Sequence, residues 1–442
     1  MNEIARTLAV EWARRKLPEM VYRDLDLAAY ADMRPSKVVA VSGFRRVGKT
    51  YSLLLLAQEL LKTLTRDEVV YLNFEDERVP LRTETLTGLL PALRQTNARP
   101  VRFLLLDEIQ ALPDWSRWVR RVYDTEDIRL FVSGSSSKMS AEEIPTELRG
   151  RFLLVRMFPL SFAEFLRFRN VTVDRRTLPH AADEKALLLR ALDEYLRWGG
   201  LPEIVLADPD RRAEIARSYY QTVVRRDIVE RSHIRNDEAM KALLRLLLDS
   251  TVYTITKLHN TLRSLNYAVG KSTLQRYLTG IENSYFMFSL TAFSPSVRNQ
   301  MQHPRKSYLV DNVFTTTLST RFSHSTGRLY ENLVAVELLR RAARRSGVEL
   351  HYWKNPLHEE VDFVVRNGIK TEQLIQVCCD LTDPDVRKRE LRALLKAGRE
   401  LRCGRLLVVT EDYDAIEKVK GRRVVFVPLW KWLLDDRPRS SA

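Results

Sequence analysis

Cysteine is nearly missing from this sequence. Cys378, Cys379 and Cys403 are the whole complement, all late in a chain of 442 residues. Adjacent cysteines rarely bridge each other, and no CxxC or Cys/His spacing offers a zinc site, so neither a disulfide framework nor a zinc module is expected. That scarcity fits a reducing, intracellular setting, and the cytoplasm is the expected location. No run reaches about 18 uncharged apolar residues, which argues against a membrane-spanning helix. The N-terminal MNEIARTLAVEWARRKL is amphipathic and mixed in charge, unlike a secretory leader. Repeats of fixed period and low-complexity tracts are also lacking. Acid is in deficit, with 57 Asp and Glu against 72 Lys and Arg and a formal net charge of +15. A basic excess spread over the whole chain suits polyanion partners, nucleic acid before membrane surfaces. An arginine-rich proteome produces the same balance with no ligand in view, and no membrane partner is expected.

What remains is ample material for cores. Hydrophobic residues make up 45% of the chain, and at about 150 residues per domain the length suggests roughly three domains. Over about residues 37–155 the aliphatic segments KVVAVSG, VVYLNF, RFLLLDE, RLFVSGS and FLLVRMF alternate with helical patterns at Thr50–Thr63 and Trp115–Asp124. Such alternation predicts an α/β domain with a parallel sheet covered by helices. From Ser161 to about Ser232 the pattern turns helical. Three further helical segments, AMKALLRLLLDS, ITKLHNTLRSL and KSTLQRYLTGIEN, precede the apolar SYFMFSLTAF, which is the rhythm of a winged helix-turn-helix. From about Arg328 the α/β character returns: a helix at LYENLVAVELLRRAARR, strands at ELHYW, EVDFVV and LIQVCC, a helix at KRELRALLKAGR, then RLLVVT and VVFVPL.

The octet Gly43-Phe44-Arg45-Arg46-Val47-Gly48-Lys49-Thr50 matches GxxxxGK[ST] in full. It follows an apolar strand and opens a helical run, the context in which this motif cradles phosphates. Gly43 and Gly48 let the backbone curl so that successive N–H groups point inward, and the helix starting near Lys49 adds its positive dipole end. Lys49 is expected on the β/γ oxygens of ATP and Thr50 on Mg²⁺, with Tyr51 completing the loop's nucleotide contacts. The run Phe103-Leu-Leu-Leu-Asp107-Glu108 supplies a second half: a buried strand with two carboxylates at the end where open α/β sheets bind ligands. Asp107 is expected to hold Mg²⁺ through water and Glu108 to polarise the attacking water, which implies hydrolysis and not binding alone. Glu75 and Asp76, ending VVYLNFED, are the reserve candidates for that base.

The order GFRRVGKT, LLLDEIQALPDW, LFVSGSSS, LRGRF, PLSFAEFL and GGLPEIV resembles the prokaryotic AAA+ ATPases that pair an ATPase domain with a C-terminal domain of unknown function. The resemblance runs from about Val21 to about Asp380. It implies that Ser133 or Ser135, ending the strand RLFVSGS, senses the γ-phosphate. It also implies that Arg149 and Arg151 of LRGRF are the family's paired arginines, reaching a phosphate in the same chain or in a neighbouring subunit of a homo-oligomer. An arginine so placed stabilises transition-state charge; a surface ion pair is the competing reading. The domains expected on this basis are a P-loop AAA+ ATPase domain over 1–160, a helical lid over 161–235, a winged helix over 236–325 and a restriction-endonuclease-like α/β domain over 326–442.

Restriction-like nucleases gather carboxylates on a small sheet around Mg²⁺, with an acid on a helix, an Asp after a turn and (Asp/Glu)-x-Lys on the next strand. Here Glu331 or Glu337 lies on the helix, and Glu360-Val-Asp362 opens a strand. On the next strand Gln376 stands where the acid belongs and Cys378 where the lysine belongs. Glutamine is a poor Mg²⁺ ligand and cysteine does not replace an ammonium, so the fold is expected without the cleavage chemistry. Lys354 and Lys370 are the lysines able to migrate in from neighbouring segments. Lys271, Ser272, Gln275 and Arg276 open the would-be recognition helix, where DNA contacts are made.

Two functions stay open. One is an ATP-driven machine acting on nucleic acid; the other is a signalling or defence-type switch whose ATP state controls docking of a protein partner.

Overall fold

Continuous aliphatic runs become the strands of a parallel sheet in a computed structural model that describes residues 2–134, 148–173, 182–232, 234, 236–319 and 326–435. The chain divides into two units, Met1–Met157 and Phe158–Ala442. Ser135 lies outside the described residues.

In the first unit the strands are β1 (Val38–Gly43), β2 (Val69–Asn73), β3 (Phe103–Asp107), β4 (Arg129–Gly134) and β5 (Phe152–Met157). They pair in parallel in the order β2-β3-β4-β1-β5. Every residue of β1 and β3 is buried, as runs of VVAVSG and FLLLD demand when both faces of a sheet are covered. The helices are α1 (Asn2–Arg14), α2 (Lys49–Leu60), α3 (Thr83–Thr87), α4 (Leu89–Thr96) and α5 (Trp115–Thr125). The amphipathic N-terminus is α1. Its Trp12 is buried, donates from Nε1 to the Val69 carbonyl at 2.6 Å and stands 5.6 Å from the Tyr71 ring.

The second unit begins with helices α6 (Phe162–Phe168), α7 (Ala182–Trp198), α8 (Pro202–Leu206) and α9 (Arg212–Thr222), the last running on into a π-helical stretch at Val223–Glu230. The motif PLSFAEF acquires a local reason: Ser161 and Glu164 form a capping box at the start of α6, each side chain accepting the other's backbone N–H at 3.1 and 2.8 Å. Next come α10 (Asp237–Asp249), β6 (Val252–Tyr253), α11 (Ile255–Ser264), α12 (Lys271–Asn283), β7 (Met287–Leu290), α13 (Val297–Gln302), β8 (Arg305–Leu309) and α14 (Asn312–Leu318). The strands β6, β8 and β7 form an antiparallel sheet with β8 in the middle. Asp311 caps α14 and reaches GGLPEIV: it accepts from Val313 N at 2.9 Å and from Gly200 N at 2.7 Å.

The chain ends in α15 (Thr326–Ala343), β9 (Val348–Lys354), β10 (Glu360–Asn367), β11 (Lys370–Val377), α16 (Pro384–Glu400), β12 (Leu406–Thr410), β13 (Ala415–Val419), β14 (Arg422–Pro428) and α17 (Leu429–Leu434). These strands form one mixed sheet in the order β13-β14-β12-β11-β10-β9. One face packs with α6, α7, α15 and α17 around Phe162, Phe165, Tyr195 and Phe363; the other packs on α16 through Leu394, Val408 and Phe426. Among the described residues no helix is long and apolar enough to cross a membrane.

Candidate nucleotide site

The loop between β1 and α2 carries the octet, and its backbone is shaped as phosphate binding requires. Gly48 has φ 99° and Arg46 φ 67°, so the chain turns through the left-handed region just before α2. A Cβ on Gly43 would meet the Met157 carbonyl oxygen at 2.2 Å, so β5 leaves no room for a side chain there. Phe44 and Val47 are buried; they anchor the loop in the core and leave their backbone to face a ligand. Lys49 folds over the loop, its Nζ donating to the carbonyls of Gly43 and Phe44 at 3.2 Å each. Arg45 lies 3.7 Å from Glu75. Tyr51, one residue into the helix from Thr50, is exposed. The buried Arg23 donates to the Val47 carbonyl at 2.8 Å and holds the loop from below its tip.

Asp107 ends β3 and is fully buried. Its Oδ2 accepts from Thr50 Oγ1 at 2.6 Å and from Tyr71 Oη at 2.9 Å, and its Oδ1 accepts from Ser133 Oγ. Three strands and the first turn of α2 therefore converge on one carboxylate. Since β4 stands between β1 and β3, Asp107 reaches Thr50 across the end of an intervening strand. A hydroxyl and a carboxylate so close, both hard oxygen donors, fit the usual surroundings of Mg²⁺. Burial, and next the charge of Asp107, push the Tyr71 phenol far above its ordinary range, so Tyr71 acts only as a donor to the carboxylate.

Glu108 follows with a left-handed backbone, φ 53°. Its N–H donates to Ser133 Oγ at 3.2 Å, and its carboxylate accepts from Gln110 Nε2. The Glu108 side chain is half-buried. Ser133 is thus tied to both ends of the acidic pair, its hydroxyl hydrogen directed at Asp107. The reserve carboxylates are engaged elsewhere: Glu75 with Arg45, and Asp76 with Arg78 at 2.7 Å, where the Arg78 guanidinium pulls the Asp76 carboxyl below its usual range.

The two arginines of LRGRF are not brought to the loop. Arg149 is exposed, and Arg151 pairs with Asp124 at 2.8 Å. The Arg151 carbonyl accepts from Val38 N, where β1 begins. The loop follows the other end of β1, five strand steps or about 16 Å away. Sequence reasoning missed two residues that the fold brings in, Tyr71 and Arg23. A lone tyrosine in an aliphatic strand was the only signal for the first.

Comparison with known proteins matches the AAA domain family over residues 35–166. Two domains of unknown function follow, DUF8612 over 189–325 and DUF4143 over 326–432. The uncharacterized protein MJ1544 of Methanocaldococcus jannaschii is 35% identical over 430 residues, covering 95% of this chain and 92% of that one. An uncharacterized protein of Haemophilus influenzae is 24% identical, covering 89% and 94%. Among solved structures, the Walker-type ATPase PABY2304 of Pyrococcus abyssi is similar at a TM-score of 0.40 and 14% identity, over 72% of this chain and 95% of that one. With its parallel P-loop sheet and these matches, the chain belongs to the MJ1544 family of AAA proteins, in which an AAA domain precedes two C-terminal domains of unknown function.

Proposed function

We propose that this protein binds ATP with Mg²⁺, hydrolyses it, and uses the nucleotide state to control a nucleic-acid-binding module in its second unit. The observation that carries the ATPase reading is the hydrogen-bonded set Thr50, Asp107, Tyr71 and Ser133, which ties the phosphate loop to the acidic strand end. Lys49 and the loop N–H groups bind the phosphates, and Thr50 with Asp107 would hold Mg²⁺, which neutralises phosphate charge when bound. Tyr71 and Ser133 fix the Asp107 carboxylate, and Glu108 takes the proton of the attacking water. Arg149 or Arg151 contributes only across a subunit boundary, since both precede β5 at the opposite end of the strands from the loop.

The order α10, β6, α11, α12, β7, β8 with its small antiparallel sheet supports reading this segment as a winged helix with α12 as its recognition helix. Lys271, Ser272 and Arg276 are exposed while Leu274, Tyr277, Leu278 and Ile281 are buried. The helix therefore turns a basic face to solvent, and with the +15 net charge this favours a nucleic-acid partner.

The test uses two variants and two assays. Lys49→Ala should lose ATP binding. Glu108→Gln should keep it while turnover falls about 10²-fold or more, as for loss of a general base. Wild-type ATP affinity in Lys49→Ala would remove the loop from the site; near-normal turnover in Glu108→Gln would move the base elsewhere.

A further inference from the structure

The second unit contains a buried charge cluster that the ATPase reading does not use. Lys306 comes from β8, a strand not anticipated from the sequence, and its side chain is 4% exposed. Its Nζ lies 2.9 Å from Glu331 on α15, 2.7 Å from Glu360 and 2.9 Å from Asp362 on β10. The ammonium donates hydrogen bonds to Glu331 and Asp362, and Glu360 stands beside it as an ion pair. Burial alone would push the lysine down; the pull of the carboxylates, Asp362 first, outweighs it and holds the group protonated.

The neighbours complete the enclosure. Tyr308 donates to Glu331 at 2.7 Å, Val377 N–H donates to Asp362 Oδ2 at 2.9 Å, and Lys354 sits 2.9 Å from Glu360. Gln376 is turned away: its amide nitrogen donates to Glu390 on α16 at 2.6 Å, and its oxygen accepts from Asp362 N at 3.4 Å. Of the two helical glutamates considered from the sequence, Glu331 faces the cluster and Glu337 pairs with Arg340 and Arg341. Cys378 donates to the Asp380 carbonyl at 3.2 Å, and burial pushes its thiol up to about 11, so it supplies no charge here.

Three carboxylates from two elements converging on one point are the surroundings that hard divalent cations take. Here the point is filled by the chain's own cation. Burial raises the Asp362 carboxyl to about 7, so the three acids against Lys306 and Lys354 leave at most a single excess negative charge, and a divalent ion added to that set would overcompensate it. Among the described residues no group of three or more His, Cys, Asp or Glu side chains is set to hold a metal ion.

We propose that Lys306 is the resident cation of a three-carboxylate site, occupying the place of a divalent metal. The domain therefore takes no Mg²⁺ or Mn²⁺ there and cleaves no phosphodiester, and the ammonium instead fastens β8 to α15 and β10. Removing it opens a divalent-cation site made of Glu331, Glu360 and Asp362. This goes beyond the ATPase reading and stands independently of it.

The experiment titrates Mn²⁺ into the nucleotide-free full chain, following free Mn²⁺ by electron paramagnetic resonance. Wild type, Asp362→Asn, Lys306→Ala and the double variant are compared, so that any Mn²⁺ on the phosphate loop cancels. Lys306→Ala should gain one site at least tenfold tighter than any that wild type shows, and the double variant should lose it. No gain in a folded Lys306→Ala protein would overturn the proposal. Should that variant not fold, wild type against Asp362→Asn still decides: equal Mn²⁺ binding supports the proposal, and a site lost with Asp362 refutes it. Plasmid cleavage by wild type in Mn²⁺ that disappears in Asp362→Asn would also refute it.

Discussion

Asp107→Ala removes the acceptor that three hydroxyls share. Tyr71 and Ser133 are buried and would each keep a donor with no partner, at about 1–3 kcal/mol apiece. Thr50 is only half-buried and turns to water at little cost. The sum, about 2–6 kcal/mol, is a large part of the roughly 5–15 kcal/mol that holds a domain together. Asp107→Asn differs. It keeps the volume and one carbonyl oxygen, which can face Thr50 and Tyr71 while its NH₂ meets the Ser133 hydroxyl oxygen. The loss is then the difference between charged and neutral hydrogen bonds, about 1 kcal/mol for each of the two retained. Turnover, in contrast, should collapse in both variants, because an amide does not hold the water shell of Mg²⁺ as a carboxylate does. Native-state hydrogen exchange of the β1–β5 amides reads the first unit by itself, and steady-state ATP turnover reads the chemistry. The reasoning fails if Asp107→Ala protects those amides within about 0.5 kcal/mol of wild type, the scatter of an ordinary surface change. It also fails if Asp107→Asn turns over ATP normally.

Asp311 is held near 6 by burial, above its ordinary 3.8. The folded chain thus binds that proton more tightly than the unfolded one. Its contribution to stability is complete below pH 4 and is lost as pH rises through 6, about 3 kcal/mol in all. Asp311→Asn should flatten the pH 4–7 slope of unfolding free energy by that amount, and an unchanged slope would show that Asp311 is not the titrating group. Duplex DNA should bind at low salt and release steeply as salt rises. Lys271→Glu with Arg276→Glu should weaken binding at least tenfold in an anisotropy titration, and indifference to both changes would leave α12 without a role. Arg151→Ala breaks a partly exposed pair with Asp124, so thermal stability should move by less than about 1 kcal/mol. If either arginine acts between subunits, wild-type turnover per chain should rise with protein concentration and the Arg149→Ala/Arg151→Ala protein should lose that rise; a concentration-independent wild type would assign both to surface pairing.

Local chemistry was readable where it is written in consecutive residues. The octet 43–50 names its own conformation, because glycine spacing and a strand-to-helix transition are properties of a few adjacent residues. The strands of the first sheet were equally legible, since a strand buried on both faces, as β1 and β3 are, must be aliphatic throughout. Asp107 and Glu108 could be singled out because they end such a run. Residues joined by distant parts of the chain were not legible. Tyr71 acts on Asp107 only because β2 lies beside β3. Arg151 looks like a phosphate contact in a motif, but the direction of β5 puts it at the opposite end of the strands from the loop. Lys306 carried no signal at all: nothing near RKSYL announces that its lysine will be enclosed by acids from residues 331, 360 and 362. The sequence by itself determined the phosphate loop, the parallel sheet and the lack of an acid at position 376 and of a lysine at position 378. Only the tertiary structure decided which hydroxyls hold Asp107 and which cation fills the carboxylate site, because hydrogen bonds and buried charges are settled by spatial neighbours, which periodicity does not encode.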